Sequence, residues 1–265
     1  MKLFRLRLAA ALAVAAALLL GPGPLAAPAH AAEPPFTLTV PVLIYHHIRC
    51  DAPSWSPNPT IWMCPSKFER QLAHLRTLGW RTITVNRLAD LLAARQCPKP
   101  RRFVVSIDDS EVNGYRVAAP ILERLRMRGS YFVLPGYAGR TGSLTFRQMR
   151  DLVARGHAIG NHSWTHRDLR GLTSSALFKQ VEYAQRTLAD RLGFRPRTFA
   201  YPYATYDSAA IKRVADSGFD LAFTAGPGAT LSSDAPLLAP RIFVSRRLSP
   251  SDLAAKIERY ANPCP

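Results

Sequence analysis

Two adjacent aspartates, Asp108 and Asp109, close an apolar run, Phe103-Val-Val-Ser-Ile107, and about fifty residues later comes His162-Ser-Trp-Thr-His166. An acid pair at a strand end and two histidines four apart are the parts of a one-metal hydrolytic site. One Asp and two His can hold a divalent ion with positions open for water, and the other carboxylate stays free to take a proton. Successive side chains of an extended backbone point to opposite faces, so the two carboxylates need not share a role. Crowded near one cation, they also separate in pKa, which leaves one suited to act as base. The competing readings are a helix or turn cap for Asp-Asp-Ser-Glu and solvated loop histidines for His162 and His166. Spacing of four lets both imidazoles face one ion, and no Glu stands beside His162, which separates the segment from the HExxH of zinc proteases.

Two further clusters end apolar runs. Tyr45-His46-His47 offers a histidine able to protonate a leaving group, against a packed strand-end histidine, a reading more apt for His47 than for His46. Phe199-Ala-Tyr-Pro-Tyr-Ala204 offers rings that can stack on a sugar, a turn fixed by Pro202, and the Tyr203 amide as an oxyanion donor. The alternative is an aromatic lid.

The elements that must position these groups follow from periodicity. Strands are expected over 40–46, 82–85, 103–108, 131–134, 158–161, 198–201, 221–224 and 241–245. Helices are expected over 66–78, opened by Ser66 and Glu69 in capping-box spacing, and over 88–95, 118–128, 146–154, 174–192 and 208–216. A last helix is capped by Ser249 with Pro250 in its first turn. Repeated βα units imply a parallel sheet, either open and doubly wound or closed as a barrel. Every polar cluster singled out ends a strand, where a parallel barrel builds its site. No GxGxxG or GxxxxGK[ST] follows a strand, so nucleotide binding has no support.

The first residues read as an address. Lys2, Arg5 and Arg7 precede an apolar stretch of thirteen residues, Leu8 to Leu20, and Ala29-His30-Ala31 is a small-x-small cleavage site. The stretch is shorter than the about 20 residues of a membrane span. A signal peptide over residues 1–31 and an exported protein, periplasmic or secreted, are expected; an uncleaved anchor is the competing reading. Residues 32–265 form one expected domain, with the Pro-rich stretch Ala52 to Pro65 as a surface loop. Four cysteines without CxxC spacing favour disulfides in an exported chain, and Cys50–Cys64 with Cys97–Cys264 is the preferred pairing of the three possible. The formal charge is +17, or +14 without the leader's three cations. Such a charge suggests anionic partners in the cell envelope, against a merely Arg-rich proteome. Scattered basic residues without a binding motif disfavour nucleic acid.

At these residues the chain resembles the polysaccharide deacetylases of the NodB-homology group, carbohydrate esterase family 4. Ser106-Ile-Asp108-Asp109-Ser110 looks like the family's TFDDG motif, His162-Ser-Trp-Thr-His166 matches its H-S/T-x-x-H motif, and Phe199 to Ala204 resembles its Pro-Tyr motif. Pro41-Val-Leu-Ile-Tyr-His-His47, Phe68-x-x-Gln71-Leu and Leu78-Gly-Trp-Arg-Thr-Ile83 are similar to the branch that deacetylates poly-β-1,6-N-acetylglucosamine. The resemblance implies a distorted (β/α)₇ barrel, single-domain α/β, acting on a polysaccharide that contains N-acetylglucosamine. It implies Asp109, His162 and His166 as ligands of one divalent ion, Zn first with Co, Ni or Fe as alternatives, and Asp108 as general base. No His follows His166, so the family's late acid is missing, and His46 inherits that role as in the permuted branch. Three departures stand out. Ser110 replaces Gly, which would strain the turn or narrow access. The family's Trp motif near Asp220 is absent. Ala200 replaces the Arg that pairs with the base, with Arg241 as substitute or else a surface cation; Arg241 is grouped with Tyr203 as a substrate or oxyanion contact. The alternative function is a weakly active or inactive glycan-binding member of the fold.

Overall fold

Short apolar runs alternating with amphipathic stretches become a parallel sheet wrapped by helices in the computed structural model of the chain, which describes residues 34–52 and 58–264. The expected leader over residues 1–31 lies outside the described residues. In chain order the strands and helices are β1 (Thr37–Thr39), β2 (Val42–Tyr45), α1 (Pro65–Thr77), β3 (Arg81–Thr82), α2 (Val85–Ala93), β4 (Arg102–Ile107), α3 (Ala119–Arg124), β5 (Gly129–Val133), α4 (Phe146–Ala154) and β6 (Ala158–Asn161). There follow α5 (Ser174–Leu177), α6 (Ala184–Leu192), β7 (Thr198–Ala200), α7 (Ser208–Asp216), β8 (Leu221–Phe223), β9 (Thr230–Ser232), β10 (Ile242–Phe243) and α8 (Pro250–Glu258).

The main sheet runs β10-β2-β4-β5-β6-β7-β8 with parallel pairs throughout, and β3 joins β4 off this path. Past β8 the ring is carried back to β10 by irregular chain: Thr224 N donates to Ala239 O at 3.0 Å and Gly226 N to Arg241 O at 3.0 Å. Seven strands on a curled path make the distorted (β/α)₇ barrel that the sequence implied. Among the described residues no helix is long and apolar enough to cross a membrane.

Strand periodicity sorts the core. Val42, Val104, Phe132, Ala158, Ala200 and Phe223 share one buried cluster with Val85, Leu88 and Leu91 of α2. Leu43, Tyr45, Phe103, Val105, Tyr131 and Val133 share another with Leu72, Leu122, Leu152 and Leu253 of the helices. Followed along its strands, the first set continues to His46, Asp108 and His162. The chemistry therefore stands at the C-terminal end of the column that the inner cluster fills.

Several boundaries differ from expectation for local reasons. Helix α1 starts at Pro65 with Cys64 as a cap lacking a side-chain bond, so the Ser66/Glu69 capping box does not form. Proline already holds the first helical φ and lacks the N–H that a cap would satisfy, and Glu69 turns to Arg124 at 2.9 Å. Helix α2 begins three residues early because Thr84 Oγ1 accepts from Arg87 N. The long helix of 174–192 holds a π-helical turn, Phe178–Tyr183, between α5 and α6, and Gly193 at φ 78° ends it. A second such turn, Gly114–Ala118, leads into α3. The antiparallel ribbon β1–β9 was not expected. Cys50 bonds Cys64, and Cys97 bonds Cys264.

Candidate metal centre

Strand β4 ends at Ile107, and the next two residues divide by backbone conformation. Asp108 keeps the inward parity of Val104 and Ser106 and is 2 % exposed. Asp109 and Ser110 take left-handed φ of 73° and 60°, which turns the Asp109 carboxylate back over the barrel end. Beyond β6, Asn161 Oδ1 accepts from Ser163 N at 2.8 Å and Ser163 Oγ accepts from His166 N at 3.0 Å. These bonds wind the loop so that both histidines face Asp109. His162 Nε2 is 3.5 Å and His166 Nε2 3.2 Å from Asp109 Oδ1, and one ligand atom from each of the three residues lies within 4.8 Å of the others.

The donor set suits a divalent cation. His162 Nδ1 donates to Ala200 O at 2.7 Å, which fixes the tautomer and leaves the Nε2 lone pair aimed at the cluster. Asp109 Oδ1 is buried and has no hydrogen-bond partner. A buried carboxylate oxygen without a donor is costly unless a cation meets it. Burial would raise the Asp109 carboxyl, but the imidazoles of His162, His46 and His166 beside it hold it far below the usual carboxylate range. Burial also lowers His166, to about 4, which keeps its ring neutral and free to ligate.

Asp108 is held separately. Arg241 Nη1 donates to its Oδ1 at 2.9 Å, while Asp108 Oδ2 lies 3.8 Å from His162 Nε2. Arg241 is 2 % exposed, packs its guanidinium over Phe132 and Phe223, and donates also to Ser106 Oγ and Thr224 O. The surface-cation reading of Arg241 is therefore wrong: the guanidinium lies inside the barrel. Burial pushes the Asp108 carboxyl up, but Arg241, His162 and His46 outweigh it and leave it ionised.

A cavity of about 430 Å³ opens over these groups, lined by His46, Asp108, Asp109, His162, His166, Tyr203 and Arg241 with an apolar wall of Ile44, Ile61 and Phe243. His46 brings a buried Nδ1 without a hydrogen-bond partner, and its burial lowers the ring's pKa. Tyr203 is 65 % exposed, takes φ 55°, and sets its ring edge-on to His166 at 4.4 Å. His47 does not line the cavity; its Nδ1 lies 2.9 Å from Glu111 Oε2 and its ring stacks on Trp62 at 4.0 Å. Ser110 does not line it either: its Oγ accepts from Leu134 N at 2.6 Å, so the substituted residue does not narrow access.

Sequence reasoning missed Ser106 and the Thr224 carbonyl, both of which orient Arg241. Ser106 had a signal, a hydroxyl at inward parity within an apolar strand. The Thr224 carbonyl had none, since any residue supplies one.

The family model described as polysaccharide deacetylase matches residues 95–222. The Bacillus subtilis (strain 168) protein YxkH is 24 % identical over 219 residues, covering 83 % of this chain and 76 % of its own length. The peptidoglycan-N-acetylglucosamine deacetylase PgdA of Listeria monocytogenes is 24 % identical over 154 residues, covering 57 % of this chain and 31 % of its own length. Among solved structures, Streptococcus pyogenes deacetylase PplD superposes with a TM-score of 0.76 at 24 % identity, over 82 % of this chain and 97 % of that one. IcaB from Ammonifex degensii gives 0.67 at 25 % identity, over 84 % and 97 %. The matched stretch contains Asp108, Asp109, His162, His166 and Tyr203, whereas His46 and Arg241 fall outside it. Over residues 95–222 the chain matches the polysaccharide deacetylase family of hydrolases, and relatives described as deacetylases align with it over longer stretches than that.

Proposed function

We propose that the protein is a metal-dependent N-deacetylase that releases acetate from an extracytoplasmic amino-sugar polysaccharide of the poly-N-acetylglucosamine type. One observation carries this reading: an open triad of ligand atoms lies beside a carboxylate that a separate, buried arginine anchors. A divalent ion, Zn or else Co, Ni or Fe, would be held by Asp109 Oδ1, His162 Nε2 and His166 Nε2, and when bound would polarise the acetamide carbonyl and acidify water. Asp108 is the base. Arg241 fixes its Oδ1, so Oδ2 accepts the proton of water as the new C–O bond forms. The Tyr203 amide donates to the oxygen on which charge develops. His46, on the cavity wall, gives a proton from its imidazolium form to the departing amine as the C–N bond breaks and is left as the neutral ring; burial lowers its pKa, so the protonated ring yields that proton readily. The products are acetate and a free amino sugar.

The substrate class draws support from the names of PgdA and of the chitin deacetylase of Colletotrichum lindemuthianum, 26 % identical over 117 residues. The Tyr45-His46-His47 opening favours the poly-N-acetylglucosamine branch. The two disulfides fit an oxidising compartment, in keeping with export. The alternative of a glycan binder with little turnover rested on Ser110 and Ala200. Arg241 against Asp108 supplies the charge that Ala200 lacks, and Ser110 faces away from the cavity, so that ground is removed. The test is acetate release from N-acetylglucosamine oligomers by purified protein with added Zn²⁺, Co²⁺ or Ni²⁺, beside an Asp108→Asn control. No acetate from any oligomer under any of these ions would sink the proposal.

A further inference from the structure

Part of the charge noted in the sequence lies at the end of the barrel opposite the cavity. Arg81 and Arg102 are register partners at the starts of β3 and β4. Arg81 Nη1 donates to Arg76 O at 3.0 Å, Arg128 N to Thr82 Oγ1 at 2.8 Å, and Arg101 Nη1 to Leu78 O at 3.2 Å. These bonds bind the α1–β3 turn, the start of β4 and the α3–β5 turn into one surface, on which Arg81, Arg126 and Arg128 are exposed. Arg101 pairs with Glu258 at 2.6 Å. The guanidiniums of Arg81, Arg102 and Arg128 reach backbone carbonyls instead, and among the described residues none of Arg76, Arg81, Arg102, Arg126 and Arg128 is paired with a carboxylate. In their midst Leu78 is 40 % exposed. Beside it a depression of about 270 Å³ is lined by Ala73, Arg76, Thr77, Arg81 and Leu125.

Like charges held together without counter-ions repel, and the fold gains nothing visible from this arrangement. The guanidinium fork matches phosphate oxygens, so the cluster is complementary to a phosphate-bearing surface. Leu78 decides which kind. A leucine projecting from a ring of cations suits a bilayer interface, which takes an apolar side chain below the headgroups while the cations remain among them. A soluble polyanion has no place for that side chain. We propose that this end of the barrel docks on an anionic phospholipid surface, with Arg76, Arg81, Arg126 and Arg128 on the headgroups and Leu78 in the interface. The cavity, at the opposite ends of the strands, then faces away from the bilayer, toward polymer.

The test compares chains that differ only in this patch, so that any contribution of the N-terminal segment cancels. Sedimentation with vesicles of phosphatidylglycerol and phosphatidylcholine, against phosphatidylcholine alone, is expected to give binding that needs the anionic lipid and weakens with salt. Arg76→Gln/Arg126→Gln/Arg128→Gln is expected to weaken vesicle binding about a hundredfold, at about fivefold per cation, and Leu78→Gln to weaken it at salt concentrations that screen the arginines. Both variants should hydrolyse soluble N-acetylglucosamine oligomers as the parent does and melt at the parent's temperature. Binding equal in parent and triple variant would overturn the proposal, and so would indifference to anionic lipid. Preference for soluble polyphosphate over vesicles at equal phosphate would also overturn it, by assigning the patch to a polymer.

Discussion

Strand β6 carries a buried histidine cluster at each end, and the two clusters are finished differently. At its start, His157 Nδ1 accepts from Gly129 N at 2.9 Å, and its Nε2 lies 3.0 Å from Glu123 Oε1. Arg155 clamps the same carboxylate with two bonds of 2.8 Å. Each polar atom of that circuit meets a complementary one. At the other end of the strand, His162 Nδ1 is bonded to the protein, while its Nε2 faces His166 Nε2 and Asp109 Oδ1, and that carboxylate oxygen is buried without a hydrogen-bond partner. The residue types are the same, a histidine and a carboxylate. What separates a structural lock from a ligand site is whether lone pairs are left over.

That contrast can be broken from either end. The largest effect expected is on turnover: Asp108→Asn should lower kcat about 10²–10⁴-fold, with a smaller loss of stability than Arg241→Ala because the Asn oxygen still accepts from Arg241, measured by acetate release and calorimetry. Arg241→Ala should cost both. It strands a buried carboxylate, and denaturant unfolding should show a loss of about 3–5 kcal/mol together with reduced activity. Arg241→Ala unfolding like the parent would remove the arginine from the account.

At the closed end the effect should fall on stability alone. His157 must be neutral to accept from Gly129 N, and burial, opposed by Glu123, lowers its pKa below the ordinary 6.5. The contribution is therefore fully present above about pH 6.5 and is lost as the pH falls through the lowered folded value, because the unfolded ring takes up a proton first. Urea midpoints of the parent should decline from pH 7 to pH 5 more steeply than those of His157→Asn, whose activity at pH 7.5 should match the parent's. Equal slopes would mean that the circuit is not what holds the ring neutral. The smallest effect belongs to Ser110→Gly. Glycine relieves the left-handed φ but gives up the bond to Leu134 N, so the two nearly cancel, within about 1 kcal/mol, and acetate release stays within about threefold.

Much of this was legible in the chain. Strands, helices and the polar ends of strands follow from local periodicity, and the Asp pair and the His-x-x-x-His segment announce themselves by type and spacing. The capping box at Ser66 misled because a proline one residue upstream took the first helical position. His157 and His162 are five residues apart, flanking one strand, and nothing local tells them apart; the difference lies in Gly129, Glu123 and Ala200, which the fold brings from elsewhere. Arg241 was ambiguous for the same reason: only the barrel's closure sets it beside Asp108, 133 residues away in sequence.

The most direct measurement is calorimetric titration of Zn²⁺ into metal-stripped protein, with Asp109→Ala and His157→Asn alongside. The parent and His157→Asn should each bind about one equivalent, and Asp109→Ala should bind none at the same site. Undiminished binding by Asp109→Ala, or loss of binding in His157→Asn, would contradict the assignment of the open end of β6 as the metal centre.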